Sequence, residues 1–580
     1  MQCNLKKIKK IKSMGLNKRI PIVLAISLIF FVGCESNDGN SVDQSVTIAF
    51  PSPTGVLTTS FEESKYSIVI YVNALSEDSV ENGSKKSPFK SITTAINNST
   101  DDSAIVVAKG DYSEGTLQLT EGITLLGGFN AADWSRDVSL NETILSGKDQ
   151  NRILIVANNT TIDGFTFSKG VYRGAGAAIY SKDTSSIITN NVFTENVVLG
   201  PLNWNPDFLH EMANNGGAIY GENGASSTIK NNVFFNNSTE NGRGAAIAFD
   251  NKCNVIINNN VFVNNVSGTN DPMRSSDGGG ISIFNWCDAE ISNNVFLGNK
   301  ALARNDGGAV FVALWSSARI NNNILVNSES GDDAGALFVG GQEHRYGGLP
   351  LDPIPSKEQF YVTIDNNQFY GNKNSSMNSG AMRFTMESRG EFSNNRLAFN
   401  NGIYFQRSEV AVKNNIIFDN FLFLETKKGL KQGSIEGNII WGDFKLRTTD
   451  EEKDILFSYK LKNGLDQFLE TFREGQPKVS GNLIRDGYDK GENNLKGIPN
   501  IKADGQTINV VSTTINKNKL KTHIFLSSGN YKENELVNKT VRSGDKWGVV
   551  QSNYANVVTV WGDLFGVESI QLLPSYTIID

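Results

Sequence analysis

Two short phrases recur in phase along the middle of this chain, and their spacing limits what it can fold into. One is small and then apolar, as in Gly216-Gly217-Ala218-Ile219 and Gly307-Gly308-Ala309-Val310. The other is Asn-Asn-apolar-Phe, as in Asn231-Asn232-Val233-Phe234, closing at Asn237. From Ala218 to Asn232, Ala246 to Asn260, Gly280 to Asn294, Ala309 to Asn323 and Ala381 to Asn395 the separation is always 14; from Ala178 to Asn191 it is 13. The Phe position advances through Phe167, Phe193, Phe234, Phe262, Phe296, Leu325, Phe369 and Leu397. Such a fixed period marks a structural repeat.

The repeat has no long 3.6-periodic run. It is built instead from short stretches rich in Ile, Val and Phe, bounded by Gly, Asn and Ser. Three short strands and three turns per repeat wind into a parallel β-solenoid with about 4.8 Å per coil. The expected fold is all-β: a right-handed parallel β-helix of about a dozen coils, roughly 60 Å long. Within each coil the small residues allow a sharp turn, and the Ile and Phe point inward. The column Asn191, Asn232, Asn260, Asn294, Asn323, Asn367 and Asn395 reads as an asparagine ladder, because Asn tolerates left-handed backbone and satisfies turn groups.

Over residues 167–400 the paired phrases resemble the repeat of the polymorphic outer-membrane proteins, within the pectin-lyase-like right-handed β-helix group. Upstream, Tyr71-Val72-Asn73, Ser87-Pro88-Phe89-Lys90-Ser91-Ile92 and Leu125-Leu126-Gly127-Gly128-Phe129 resemble the opening of bacterial surface β-helix proteins. That resemblance implies a first strand, a capping helix near residues 91–98 and then the first coils. The end of the chain, Tyr576-Thr577-Ile578-Ile579-Asp580, does not resemble the membrane barrel of autotransporters, so that family's export route does not carry over.

Residues 1–33 read as a signal peptide, with a basic start, an apolar run at 20–32, and Phe31-Val32-Gly33-Cys34 resembling a lipoprotein cleavage site. The resemblance implies lipidation at Cys34 and a place at the bacterial outer membrane or cell surface, with the membrane as partner through the anchor. Met14 would make a more usual start than Met1. Residues 34–65 are polar and read as a flexible tether. The solenoid is expected over 66–500, with a helical insertion near 450–474, and a small β module over 501–580 covering the last coil.

The formal charge is −7 and the chain has no basic run beyond the signal, which argues against nucleic acid as a partner. Three His among 580 residues argue against histidine-dependent metal or triad chemistry. Nothing in the sequence calls for an oligomer, and a monomer is expected. Cys253 and Cys287 each lie seven residues after the third small residue of their coils. They should stack on adjacent coils, where a disulfide and two buried thiols are both open.

The same register aligns Asp277, Asp306 and Asp333 on one edge, with Arg243 in the equivalent place one coil earlier. Stacked carboxylates repel unless protonated, solvated or bridged by a cation. Pectate lyases of this fold resemble that picture, which makes Ca²⁺ at Asp277, Asp306 and Asp333 the one cofactor to consider. The alternative is ordinary turn chemistry, since Asp before Gly-Gly suits a turn. Trp286 and Trp315 fall in one column, either as a platform for sugar rings or, the favoured reading, as a structural stack. Insertions at 199–214, 266–276 and 340–358 lie near the acidic column and carry Trp204, Phe208, Arg274, Arg345 and Tyr346, with Arg274 a ligand-binding candidate. No residue matches a known catalytic motif of β-helix enzymes. The leading expectation is a non-enzymatic scaffold that binds carbohydrate or a surface partner. A Ca²⁺-dependent polysaccharide lyase is the alternative, and a passive surface spacer the second.

Overall fold

The computed structural model describes residues 56–200, 214–269, 276–341, 355–375, 379–424, 433–447, 477–497, 501–502, 507–516, 521–573 and 577–578. Cys34, Trp204, Phe208, Arg274, Arg345, Tyr346 and the helix expected near 450–474 lie outside them.

The repeat winds as its spacing requires. One coil runs Ile219–Glu222, Ser226–Lys230, Val233–Phe235 and Ser238–Thr239, each strand pairing in parallel with its counterpart one coil on. Three long sheets result. Sheet A holds the Ser226–Lys230 strands and sheet B the Val233–Phe235 strands, both 14-stranded; sheet C holds the Ile219–Glu222 strands and is 12-stranded. A shorter seven-stranded sheet, D, lies between B and C. The expected right-handed parallel β-helix is therefore the fold.

Inside, identical residues stack. Phe167, Phe193, Phe234, Phe262 and Phe296 lie 4.7–4.9 Å apart, centroid to centroid, with interplanar angles of 5–9°. The stacking follows from the parallel register, which pairs Phe with Phe coil after coil. At the turn between sheets A and B, the asparagine ladder is continuous. Each Oδ1 accepts the backbone N–H of the preceding ladder residue, as in Asn232 to Asn260 at 2.9 Å and Asn260 to Asn294 at 2.8 Å. The residue before each ladder Asn is left-handed, with φ +56° at Asn231 and Asn259, a conformation Asn accepts more readily than other side chains. A second ladder, not foreseen, joins Asn196, Asn237, Asn265 and Asn299 at the turn after the Phe strand. Downstream its line continues through Asn372 and Asn400 and ends on Asp419.

The N-terminal cap is helix α1, Ile92–Asn97, started by Ser91, whose hydroxyl accepts from Thr94 N–H. Glu114 adds a second cap, accepting from Ile92 N–H at 2.7 Å and Thr93 N–H at 2.9 Å. Ile92, Ala95 and Ile96 close the first coil's core. The expected flexible tether ends earlier than residue 65. From residue 56 the chain is folded against the solenoid, with Thr59 Oγ1 bonded to Asp163 at 2.9 Å and Phe61 edge-on to Phe129 at 5.4 Å.

The C-terminal β module is a closed six-stranded antiparallel barrel, Thr507–Asn516 through Ser569–Leu572. It was expected over the last coil; it leans instead on the flank of sheet B. Trp547, Val549 and Trp561 pack on Val261, Val263, Val295, Leu297, Ile324, Val326 and Tyr370. The outward positions of those sheet B strands are apolar, and the barrel covers them, removing that surface from water.

Candidate functional site

The acidic column forms, but its members have different work. Asn215, Asp277 and Asp306 each lend Oδ1 to the backbone N–H of the next column residue: Arg243 at 2.8 Å, Asp306 at 3.0 Å and Asp333 at 2.9 Å. Part of the column is thus a turn ladder, as good turn chemistry would have it. Asp277 and Arg243 are both nearly buried and ion-paired, Nε to Oδ2 at 3.1 Å. Asp333 Oδ2 pairs with Arg383, a buried guanidinium whose pKa burial pushes down. The carboxylates that converge are Asp306, Asp332 and Asp333, with one oxygen of each within 4.8 Å of the others, all half-buried. Asp332, from the adjacent Asp-Asp turn, joins Asp306 and Asp333 in this group, while Asp277 lies outside it and pairs with Arg243. Hard oxygen donors suit Ca²⁺. Bonds of 2.3–2.6 Å allow two ligands on opposite sides of the ion to lie about 5 Å apart, so the three oxygens fit a shared cation.

The tryptophan column is in register but is not a pair of stacked rings. Trp315 is nearly buried and meets Phe360 edge-on at 5.3 Å, becoming part of the core. Trp286 remains 41% exposed. Phe360, which follows the 340–358 insertion, claims the inner Trp and leaves the outer one on the surface. Both Trp have left-handed backbone, φ +65° and +60°. Cys253 and Cys287 stack on adjacent coils, where the structure holds both as buried free thiols. Each sulfur has another partner: Cys253 N–H donates to Cys287 Sγ at 3.2 Å, and Cys253 Sγ–H donates to the Asp250 carbonyl at 3.1 Å. Burial pushes the Cys287 thiol up, while its hydrogen bond pulls Cys253 down.

A second constellation escaped the sequence reading. On the outward face of sheet C, Tyr180 aligns with Tyr220, and Glu222 with Asp250. Tyr180 Oη donates to Glu222 Oε1 at 2.5 Å. Tyr220 Oη lies 3.4 Å from Glu222 Oε2 and 3.3 Å from Asp250 Oδ2, bridging the two carboxyls. Asn285, next to exposed Trp286, donates to Asp250 Oδ1 at 3.1 Å. Lys182 pairs with Glu222 at 3.4 Å. Arg152 lies over the rings of Tyr172 at 3.9 Å and Tyr180 at 4.4 Å. Burial raises the Asp250 pKa, and burial with the Glu222 bond pushes Tyr180 up to about 12. The outward positions of a repeat carry no constraint from the core, so these single substitutions left no periodic signal. The one available sign was a carboxylate at the last residue of two consecutive sheet C strands.

Residues 135–344 match the family model described as the right handed beta helix region. No curated protein matches the chain. Among solved structures, the chain is similar to XylC in complex with xylose, with a TM-score of 0.37, 11% identity, and 80% of this chain and 90% of that one covered. It is also similar to a mutant of the tailspike protein of E. coli bacteriophage HK620 in complex with a pentasaccharide, with a TM-score of 0.28, 12% identity and coverage of 83% and 89%. A mannuronic acid specific family 6 polysaccharide lyase from human gut microbiota gives 0.23, 13%, and coverage of 65% and 96%. The strand register and the family match together make this chain a right-handed parallel β-helix.

Proposed function

We propose that the chain is a surface-anchored carbohydrate-binding protein that uses the edge where sheet C meets its preceding turns. The observation that carries this is the convergence of Asp306, Asp332 and Asp333 within 4.8 Å. A Ca²⁺ held there by three carboxylate oxygens keeps positions for hydroxyl or carboxylate oxygens of a glycan. Exposed Trp286, at the turn that follows its sheet C strand, supplies an apolar ring face. The lyase alternative needs a basic group free to take a proton from substrate. Arg243 and Arg383 at this edge are buried and ion-paired and are not free to do so, whereas Arg304, two residues before Asp306, is exposed. The test is calorimetric titration of acidic polysaccharides with Ca²⁺ and with chelator, alongside an ultraviolet assay for unsaturated products. Ca²⁺-dependent binding without such products supports the reading. Product formation replaces it with the lyase, and no binding to any glycan leaves the spacer.

Anchoring at Cys34 on the bacterial outer membrane or cell surface belongs to the same proposal. Cys34→Ser should move the chain from the membrane fraction to the soluble one.

A second reading is favoured by Glu222 and Asp250. Two carboxyls in different environments, both facing one tyrosine hydroxyl, form the kind of pair that hydrolyses glycosidic bonds. Burial favours the protonated form of Asp250, suiting a general acid, and Glu222 accepts from Tyr180 and pairs with Lys182, suiting the carboxylate role. Reducing-end release from a glycan panel, abolished by Glu222→Gln and by Asp250→Asn, would support this reading. Release unchanged by both variants would exclude it.

A further inference from the structure

A cavity of about 320 Å³ lies on another face of the solenoid, between the outward side of sheet A and the segment at residues 57–66. That segment is a roof anchored at both ends. On one side, Leu57 N–H reaches Asn190 Oδ1 at 3.3 Å, Thr58 Oγ1 accepts from Val138 N–H at 3.2 Å, and Thr59 Oγ1 bonds Asp163 at 2.9 Å. On the other, Ser67 N–H donates to the Asp102 carbonyl at 3.1 Å, and Phe61 and Tyr66 stack at 6.0 Å. The floor comes from consecutive sheet A strands and includes Thr161, Ile187, Thr189 and Lys230, with Asn190 and Asn231 at the edge.

Three features separate this cavity from an imperfectly packed roof. Its lining is rich in hydroxyls and amides, yet it also offers apolar surface from Phe61, Leu126, the Tyr66 ring and the 43% exposed side chain of Ile187. Thr189 is 5% exposed, and its hydroxyl has no hydrogen-bond partner, an arrangement native interiors seldom leave unexplained. The charges are unbalanced. Arg136 is bound to Asp163 at 2.7 Å and Lys65 to Glu62 at 3.2 Å, whereas the exposed Lys230 ammonium faces no carboxylate within salt-bridge distance among the described residues. The lining is therefore positive by one charge in a chain of formal charge −7.

We propose that this cavity is a second carbohydrate site that takes a short acidic saccharide, of one or two sugar rings, with the sugar carboxylate toward Lys230. The hydroxyls meet the threonine and asparagine side chains, and the apolar sugar face lies against Tyr66 and Ile187, the division of labour usual in small-ligand pockets. A carboxylate on an ammonium is a charge-assisted contact and fixes the orientation. The inference rests on the carbohydrate reading above but uses another face and no metal, so the two can fail separately.

The test is calorimetric and NMR titration of the full chain with digalacturonate. Neutral lactose and sodium acetate serve as probes of the ring and of the charge alone. The expected result is saturable digalacturonate binding that persists in chelator and in Asp332→Asn. Lys230→Ala, a change at an exposed side chain, should weaken it about tenfold, equivalent to about 1.4 kcal/mol. Thr189→Val, which keeps the shape and removes the hydroxyl, should weaken it by a smaller factor. Lactose should bind more weakly than digalacturonate and acetate weaker still. Three results would overturn the proposal: no saturable binding at millimolar ligand, equal affinity in Lys230→Ala, or acetate competing as well as the disaccharide, which marks an adventitious ion only. Binding lost in chelator would assign the saccharide to the acidic edge instead.

Discussion

The asparagine ladder makes a sharp demand on a single position. Asn260 is fully buried, and its side chain serves three coils. Its Oδ1 accepts from Asn232 N–H at 2.9 Å and Asn232 Nδ2 at 3.0 Å. Its Nδ2 donates to the carbonyls of Ile229 at 2.9 Å and Asn258 at 3.0 Å, and to Asn294 Oδ1 at 3.1 Å. Asn260→Ala removes all five contacts and strands the Asn232 backbone N–H in a dry turn. One orphaned buried donor costs about 1–3 kcal/mol, and each lost bond about 0.5–1.5 kcal/mol net, with the remaining acceptors still holding other partners in part. The expected loss is about 3–5 kcal/mol. Urea unfolding followed by far-ultraviolet circular dichroism would read it as a lower midpoint with an unchanged slope. Asn254→Ala, at an exposed position two strand repeats before the turn, should stay within about 0.5 kcal/mol. A loss below about 1 kcal/mol for Asn260→Ala would refute the idea that the ladder holds the coils together, and would leave core packing as the sole support.

Phe262→Ala should cost about 3–5 kcal/mol in the same unfolding assay, because the ring is fully buried and stacked between Phe234 and Phe296. Asp419, which closes the second ladder, gives a pH dependence. Burial pushes its carboxyl up to about 7, above the ordinary value near 3.9, so the folded chain holds a proton that the unfolded chain releases. Its contribution is complete below about pH 4 and is lost as pH rises through about 7, by at most about 4 kcal/mol. Unfolding midpoints at pH 4.5 and 8 should therefore converge in Asp419→Asn; an unchanged pH slope would contradict this. Alkylation of the unfolded, unreduced chain followed by peptide mass mapping should label both Cys253 and Cys287, and a linked peptide pair would contradict the free-thiol arrangement.

What the sequence revealed and what it hid follow from one physical distinction. Inward and turn positions repeat because the core and the backbone impose the same requirement on every coil; the Phe stack, the first asparagine ladder and the acidic column were legible for that reason. The second ladder was only half visible, since Ser328 interrupts it and Asp419 ends it. Outward positions answer to no such rule. Glu222, Asp250 and their tyrosines gave no recurring pattern, and the apolar stripe on sheet B could not be told from ordinary strand composition until the barrel was found lying on it. Trp286 and Trp315 shared a column, but Phe360, brought in beyond an insertion of no periodic length, separated their environments. Register located Asp277, Asp306 and Asp333 and the Arg243 that pairs with Asp277, whereas Arg383, the partner of Asp333, stands outside that column and lies 50 residues from its aspartate.

The central claim is that Asp306, Asp332 and Asp333 form one cation site through which the sheet C edge binds glycan. Calorimetric titration of Ca²⁺ into the chelator-stripped full chain, repeated with Asp332→Asn, tests it directly. One saturable Ca²⁺ site is expected, with affinity at least tenfold weaker in the variant, unfolding midpoint unaltered, and acidic-polysaccharide binding lost in parallel. Calcium affinity equal in the two proteins, or acidic-polysaccharide binding undiminished by Asp332→Asn and by chelator in a Lys230→Ala background that weakens the sheet A cavity, would contradict it.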